Sequence, residues 1–310
     1  MTKRMTSALL RGYQPSWPFI LAILGSSLMG LSPIFVRMTD IGPNALGLYR
    51  MLFALPFIWI WKTTEETQSP FKKPTFAPKD HLLLAIAGLS FAIDLGTWHL
   101  SIRMTEIINA ALLNNLTPFF VPLALWALFK ERPRFIFMLA IMWVFVGAAI
   151  LTGESFSIGY KNVLGDALAT FSALAFTGYI LAVKQLRLRF NAPTIILGTS
   201  LWMIPFLLLF TIFFADSWKF LTTYDWIAIF GLALIVQVGS QGLLAYSMGH
   251  LTAGLVAITM LISPAVSAIS ARVIFGEEMS LWQILGVVIV ISGIIIARQD
   301  ERKHDQSLKE

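Results

Sequence analysis

Between Trp17 and Ala297 the chain is almost continuous apolar sequence, cut by short polar gaps into ten runs of about 20 residues. That pattern rules out most folds at once. A run of this length covers the hydrocarbon of a bilayer as a helix, and lipid forces each backbone polar group to be satisfied within the segment. The runs fall at 17–37, 43–61, 81–101, 105–128, 134–152, 164–184, 193–214, 224–247, 253–275 and 281–297, here called spans 1 to 10. The expected fold is all-α and integral to the membrane. Composition agrees: 57% of the 310 residues are hydrophobic and 13% charged, about half the charge that wets a soluble surface.

The net charge of +6 would suit a nucleic-acid binder, but the basic residues cluster between apolar runs, where they set membrane orientation. With the N-terminus inside, seventeen Lys and Arg fall on the cytoplasmic side and five opposite, Arg50 lying within the membrane. Both termini are therefore expected in the cytoplasm, and nucleic acid is not expected as a partner. Lys3, Arg4 and Arg11 before span 1 read as the start of a retained first helix in the cell inner membrane. The chain has no cysteine, which removes disulfides, thiolate metal sites and cysteine nucleophiles. No phosphate-cradling glycine loop, H-E-x-x-H or G-x-S-x-G is present, and the stretch from Gly153 to Ser157 lacks the second glycine of a nucleophile elbow. Neither an enzyme, a cofactor nor a metal is expected.

Sliding the sequence by 146 positions aligns Gly96 with Gly242, Ser101 with Ser247, Ala111 with Ala257, Pro118 with Pro264, Phe129 with Phe275, Glu131 with Glu277 and Gly147 with Gly293. Five helices per unit place the two units in opposite orientations. The loops agree, KERPR after span 4 being basic and GEEMS after span 9 acidic. The expectation is two inverted five-helix repeats, 1–152 and 153–310, the second with a charged tail after Arg298. In such folds the substrate sits near the midplane, between halves that rock to open each side in turn.

The closing stretches of the two halves, NAALLNNLTPFFVPLALWALFKERP with MLAIMWVFVGAAIL and AGLVAITMLISPAVSAISARVIFGEEMS with LWQILGVVIVISGIIIA, resemble the drug/metabolite transporter superfamily in its EamA-type branch. The resemblance covers Trp17 to Ala297. It implies secondary transport of a small metabolite, with an amino acid or derivative as substrate and export as direction. Relatives of this type also handle nucleosides, sugars and drugs. Uptake of a nucleoside-like compound such as S-adenosylmethionine is the alternative, and a lipid-modifying membrane enzyme or a non-transporting scaffold are rivals of another class.

Asp94 and Arg50 both lie about 10 Å below the same membrane surface, seven residues from helix ends at 1.5 Å per residue. A salt bridge between them is geometrically open, either as a structural pair or as a site for substrate or a proton. An isolated carboxylate at that depth costs roughly 2.5–3.5 kcal/mol and should face protein or water. Trp98 and His99 follow on the same helix. Trp98 could stack on a ligand or sit in the interfacial belt; His99 could relay protons or simply hydrogen-bond. Asn109, Asn114, Asn115 and Thr117 precede Pro118, and a proline disturbs the carbonyl four residues back. Pro264 does this to Met260 beside Thr259 and Ser263, and Pro33 to Met29. Interrupted helices at matching places point to a transporter's site, the plainer reading being simple kinks. Gln237 and Gln241 form a polar face on span 8 with Ser240 between them, and Tyr246 and Trp202 are candidate aromatic walls. The partners expected are a small-molecule substrate, a proton as candidate co-substrate and the lipid bilayer; oligomeric state is left open, a homodimer included.

Overall fold

The computed structural model describes residues 16–68, 75–105, 113–152, 163–218, 222–276 and 280–307. These residues are helices joined by short turns, with no strand among them. Eight helices are long and apolar enough to cross a membrane, and the two shorter apolar ones, Thr117–Phe129 and Phe135–Ile150, stand where spans 4 and 5 were expected. The protein is thus a multi-pass helical membrane protein.

Span 1 is Ser16–Met29 followed by Ser32–Arg37, span 2 Pro43–Gln68, span 3 Pro78–Met104, span 4 ends in Thr117–Phe129, and span 5 is Phe135–Thr152. Spans 6 and 7 are Val163–Leu186 and Ala192–Phe213. Span 8 runs from Thr223 to Met248, span 9 is Ala253–Thr259 and Ser263–Phe275 joined by a 3-10 turn, and span 10 is Leu281–Ser307. Span 10 therefore continues well past Ala297, and the charged tail after Arg298 is helical as far as Ser307. Its Asp300 is held by Arg134 at 2.6 Å, which draws the amphiphilic extension against the start of span 5.

The packing follows the repeat. Span 3 packs along span 6, and its counterpart, span 8, along span 1. Span 4 meets span 6 as span 9 meets span 1; span 7 meets span 3 as span 2 meets span 8. Spans 2 and 7, 4 and 9, and 5 and 10 each pair with their own counterpart. Exchanging the halves leaves these pairings in place, as two copies of one bundle related by a pseudo-twofold require.

Small residues allow these crossings, because van der Waals contact between backbones replaces the hydrophobic drive that lipid does not supply. A Cβ on Gly30 would stand 2.6 Å from the Ser263 carbonyl oxygen, at the point where the interrupted first and ninth spans cross. A Cβ on Gly147 would stand 2.9 Å from the Gly286 carbonyl oxygen between spans 5 and 10. Spans 4 and 9 also end alike, on left-handed residues 146 positions apart: Lys130 with φ 62° and Gly276 with φ 71°.

The face where span 1 begins and span 10 ends is here the terminal face, and the other the distal face. The terminal face is tightly tied. Lys184 Nζ donates to the carbonyls of Met248 at 2.8 Å and Leu251 at 2.6 Å, and Ser247 Oγ donates to the Pro18 carbonyl at 3.0 Å. Arg187 donates to the Tyr246 carbonyl at 3.4 Å, and Arg189 bonds Asp80. Burial lowers the proton affinity of the Arg187 guanidinium, an effect countered by the charge of Glu65 and by Tyr246.

Candidate transport site

Arg50 is the centre of the buried polar structure. It lies two turns into span 2, with 6% of its surface exposed. Its Nε and Nη2 donate to Gln237 Oε1 at 3.1 and 2.8 Å. Gln237, itself 1% exposed, passes its Nε2 hydrogen to Ser200 Oγ at 3.2 Å. The guanidinium stands 5.8 Å from the centroid of the Phe91 ring, within reach of a cation–π attraction.

The repeat explains these partners. Gln237 and Phe91 are 146 positions apart, so Arg50 reaches equivalent points of spans 8 and 3. Arg50 and Ser200 each lie seven residues after a proline in the first turn of their helix, Pro43 and Pro193. One pair of equivalent positions thus brackets Arg50, and Ser200, its own counterpart, completes the chain. The arrangement thus joins the two halves.

Nη1 of Arg50 has no protein partner among the described residues. Arg50 lines a cleft with Ser32, Val36, Pro43, Leu95 and Trp98. The cleft runs from the distal ends of spans 1 and 2, at Val36 and Pro43, down to the guanidinium. A buried cation held by a neutral amide keeps its full charge available for an incoming anion.

The salt bridge anticipated between Arg50 and Asp94 is not formed: no ion pair joins them within 4.0 Å among the described residues. Each is drawn to a different neighbour. Asp94, 8% exposed, accepts at Oδ1 from Ser172 Oγ of span 6 at 2.5 Å and from Asn114 Nδ2 of span 4 at 3.2 Å. Asn114 Nδ2 also lies 2.6 Å from Ser172 Oγ. The two charges remain near enough to influence one another, but they belong to separate hydrogen-bonded groups. The amide side chains are likewise divided: Asn114 serves Asp94, and Gln237 serves Arg50.

The helix breaks fall just ahead of the expected prolines. Span 1 is interrupted at Gly30 and Leu31 before Pro33, span 4 turns at Asn115 and Leu116 before Pro118, and span 9 tightens into a 3-10 turn over Met260–Ile262 before Pro264. Two of the disturbed carbonyls are taken up locally. The Thr117 hydroxyl donates to the Asn114 carbonyl at 3.2 Å, and the Ser263 amide to the Met260 carbonyl. Thr117 also reaches the Ala173 carbonyl at 3.3 Å, tying span 4 to span 6.

Other candidates separate from the centre. Thr259 is fully buried and pairs with Ser26 Oγ at 3.1 Å, a contact between spans 9 and 1. Ser263 stands at the crossing with Gly30. Tyr246 packs with Trp17 and His250 at the terminal face, ring centroids 5.3 and 5.0 Å away, because it lies more than a turn beyond the midplane glutamines. Trp202 is 40% exposed on the outside of span 7. Neither is a wall of the cleft. Trp98 is a wall of it. His99 lies on span 3, its side chain outside what is described, and Asn109 and Glu277 lie outside the described residues. Gln241 accepts from Tyr179 Oη at 3.3 Å, and Tyr179 stacks on Phe176 and packs tilted against Phe91.

Two features escaped sequence reasoning. Ser172 and Ser200 are isolated serines in apolar helices, and nothing local separates them from ordinary helix-packing serines. Span 8 is a π-helix from Gly231 to Gln241, the wider helix that accompanies functional sites more often than chance. It carries both glutamines. Its only signal is three glycines, at 231, 239 and 242.

Ten helices in two similarly packed halves, interrupted around a buried charge, are the architecture of a membrane transporter. The chain belongs to the EamA-like transporter family, which matches it twice, over residues 16–153 and 163–299. It is similar to an uncharacterized transporter of Archaeoglobus fulgidus, 22% identical over 280 residues covering 89% of this chain and 94% of the relative. The uncharacterized transporter YxxF of Bacillus subtilis is 24% identical over 292 residues, 91% and 90% of the two chains. The uncharacterized transporter sll1164 of Synechocystis is 27% identical over 241 residues, 73% and 67% of the two. A solved crystal structure superposes with a TM-score of 0.78 at 16% identity, over 93% of this chain and 98% of the other; at that identity the likeness speaks for the fold alone.

Proposed function

We propose that the protein is a secondary transporter that moves a small polar metabolite across the cell inner membrane by alternating access, and that it has no enzymatic activity. The substrate we favour is an amino acid or amino acid derivative, and the direction export. The orientation that goes with this reading puts the terminal face, with both chain ends, in the cytoplasm, as the Lys and Arg distribution suggests. In that orientation the small cleft, about 30 Å³, lies on the outer side of Arg50, and the ties of Lys184, Arg187 and Ser247 lie on the cytoplasmic side.

One observation supports the reading: Arg50 is buried at the foot of the cleft, and among the described residues its Nη1 has no partner and no carboxylate forms an ion pair with it. A substrate carboxylate docked there would gain a charge-assisted hydrogen bond without displacing an existing ion pair. Rocking the two halves about Arg50 would carry it across. A second reading is supported by Trp98, which lines the same cleft: uptake of a nucleoside-like compound such as S-adenosylmethionine, its purine stacked on the indole.

The experiment is uptake into proteoliposomes with a panel of labelled amino acids, nucleosides and S-adenosylmethionine. Arg50→Gln should raise the half-saturation concentration of the compound that responds by about 10- to 100-fold, the loss of a hydrogen bond to a charged group. Transport of the panel with Arg50→Gln unimpaired would remove Arg50 from the site. Failure of every compound to exchange across the vesicles would count against transport of these classes altogether.

A further inference from the structure

Asp94 is a buried carboxylate that forms no ion pair among the described residues. Its equivalent 146 positions on is Ser240 of span 8, and the two halves pack alike around both. The comparison extends to the neighbours. Ser172, which donates to Asp94, corresponds to Ser26; Asn114 corresponds to Met260. In the second half Ser26 pairs instead with Thr259, and Ser240 Oγ is buried without a hydrogen-bond partner among the described residues. One half thus builds a hydrogen-bonded cradle for a carboxylate at a place where the other half holds a neutral, unsatisfied hydroxyl.

The cradle suits a proton better than a metal cation. Ser172 Oγ and Asn114 Nδ2 both face Asp94 Oδ1, and Oδ2 has no protein partner among the described residues. A sodium ion would need several oxygens pointing inward, whereas the amide presents its nitrogen. The charged and titratable groups around Asp94 are few. Span 2 contributes Arg50, near but not bonded, and span 6 contributes Tyr179 beside Arg50, with Asp166 further toward the distal face, where it is bonded by Thr105 at 2.6 Å. The described parts of spans 4 and 7 hold none. On span 3 itself Lys79, Asp80 and His81 lie at the terminal end, and His99 and Arg103 toward the distal end.

Asn114 also gives the cradle mechanical leverage. It immediately precedes the turn at Asn115 and Leu116 that interrupts span 4. A change in the charge of Asp94 alters its hold on Asn114 and Ser172, and so alters how the broken span 4 sits against spans 3 and 6. That is the kind of local charge event that biases a two-state element.

We propose that Asp94 is the proton-coupling site of the transporter. A proton from water bonds to Oδ2 in one orientation of the halves and returns to water in the other, so that each cycle carries one proton with, or against, the substrate. The inference rests on the reading of the protein as a transporter, and its test separates the two. The full-length chain, purified in detergent without substrate, is titrated by infrared pH-difference spectroscopy. Wild type should show the carbonyl band of a buried carboxyl gaining its proton, Asp94→Asn should lack it at unchanged helicity, and Ser172→Ala should keep it with a displaced midpoint. Identical difference spectra for wild type and Asp94→Asn would overturn the proposal.

In proteoliposomes, a pH gradient should accelerate wild-type uptake of the responding compound. Asp94→Asn should lose that acceleration completely while still exchanging substrate across vesicles without a gradient. A gradient response that survives in Asp94→Asn, or one driven by sodium instead of protons, would overturn the proposal and leave transport itself standing. If no compound moves at all, the infrared titration still decides whether Asp94 takes up a proton.

Discussion

The two halves of the molecule share a backbone plan and differ in charge at one depth. Where spans 3, 6 and 4 meet, Asp94, Ser172 and Asn114 form a closed hydrogen-bonded group around a carboxylate. Where spans 8, 1 and 9 meet, the matching positions are Ser240, Ser26 and Met260, and the polar contact shifts to Ser26 and Thr259. Arg50 stands between the groups and leans toward the second half through Gln237. A duplicated frame is mechanically symmetric and supplies the rocking. Chemistry that acts in one direction has to come from residues the copies do not share.

The largest effect expected from disturbing this difference comes from moving the charge. Ser240→Asp puts a carboxylate where no asparagine faces it, and should cost about 2.5–3.5 kcal/mol, read as a lowered thermal midpoint in detergent. An unchanged midpoint would mean that the second half can cradle a charge after all. Next come the paired serines. At alkaline pH, with Asp94 ionised, Ser172→Ala should cost about 1.5–3 kcal/mol, since it removes a donor to a charged acceptor, against about 0.5–1.5 kcal/mol for Ser26→Ala. Equal costs would argue that the two groups are energetically alike. The smallest effect concerns the ends of spans 4 and 9. Lys130 holds the left-handed conformation that Gly276 holds in the other half, so Lys130→Gly should stabilise by about 1 kcal/mol. A loss of stability there would show that the lysine side chain contributes more than its backbone costs.

Much of the frame was legible because membrane insertion leaves its rules in the local sequence. Ten apolar runs, the 146-residue register and the prolines at 33, 118 and 264 gave the helices, their duplication and the breaks that the structure shows. The candidate site was legible only as a set of residues. Arg50, Asp94, Asn114 and Gln237 stood out because polar groups in lipid are costly; Arg50, Asp94 and Gln237 are buried and Asn114 is half-buried beside Asp94. Their partnerships did not follow. Equal depth made an Arg50–Asp94 pair plausible, yet depth is one coordinate, and the rotation of each helix about its axis decides who meets whom. Ser172 and Ser200 then supplied the missing acceptors and donors from helices whose sequence gave no warning.

From the sequence alone came the number of helices, their interruptions and the twofold repetition, because each depends on residues within one segment or on one segment matching another. The tertiary structure decided that the two buried charges stay apart, that the glutamines of span 8 ride on a π-helix, and that Tyr246 belongs to the terminal face. Those outcomes depend on helix rotation and crossing, set jointly by close contacts such as Gly30 against Ser263 that no single segment encodes.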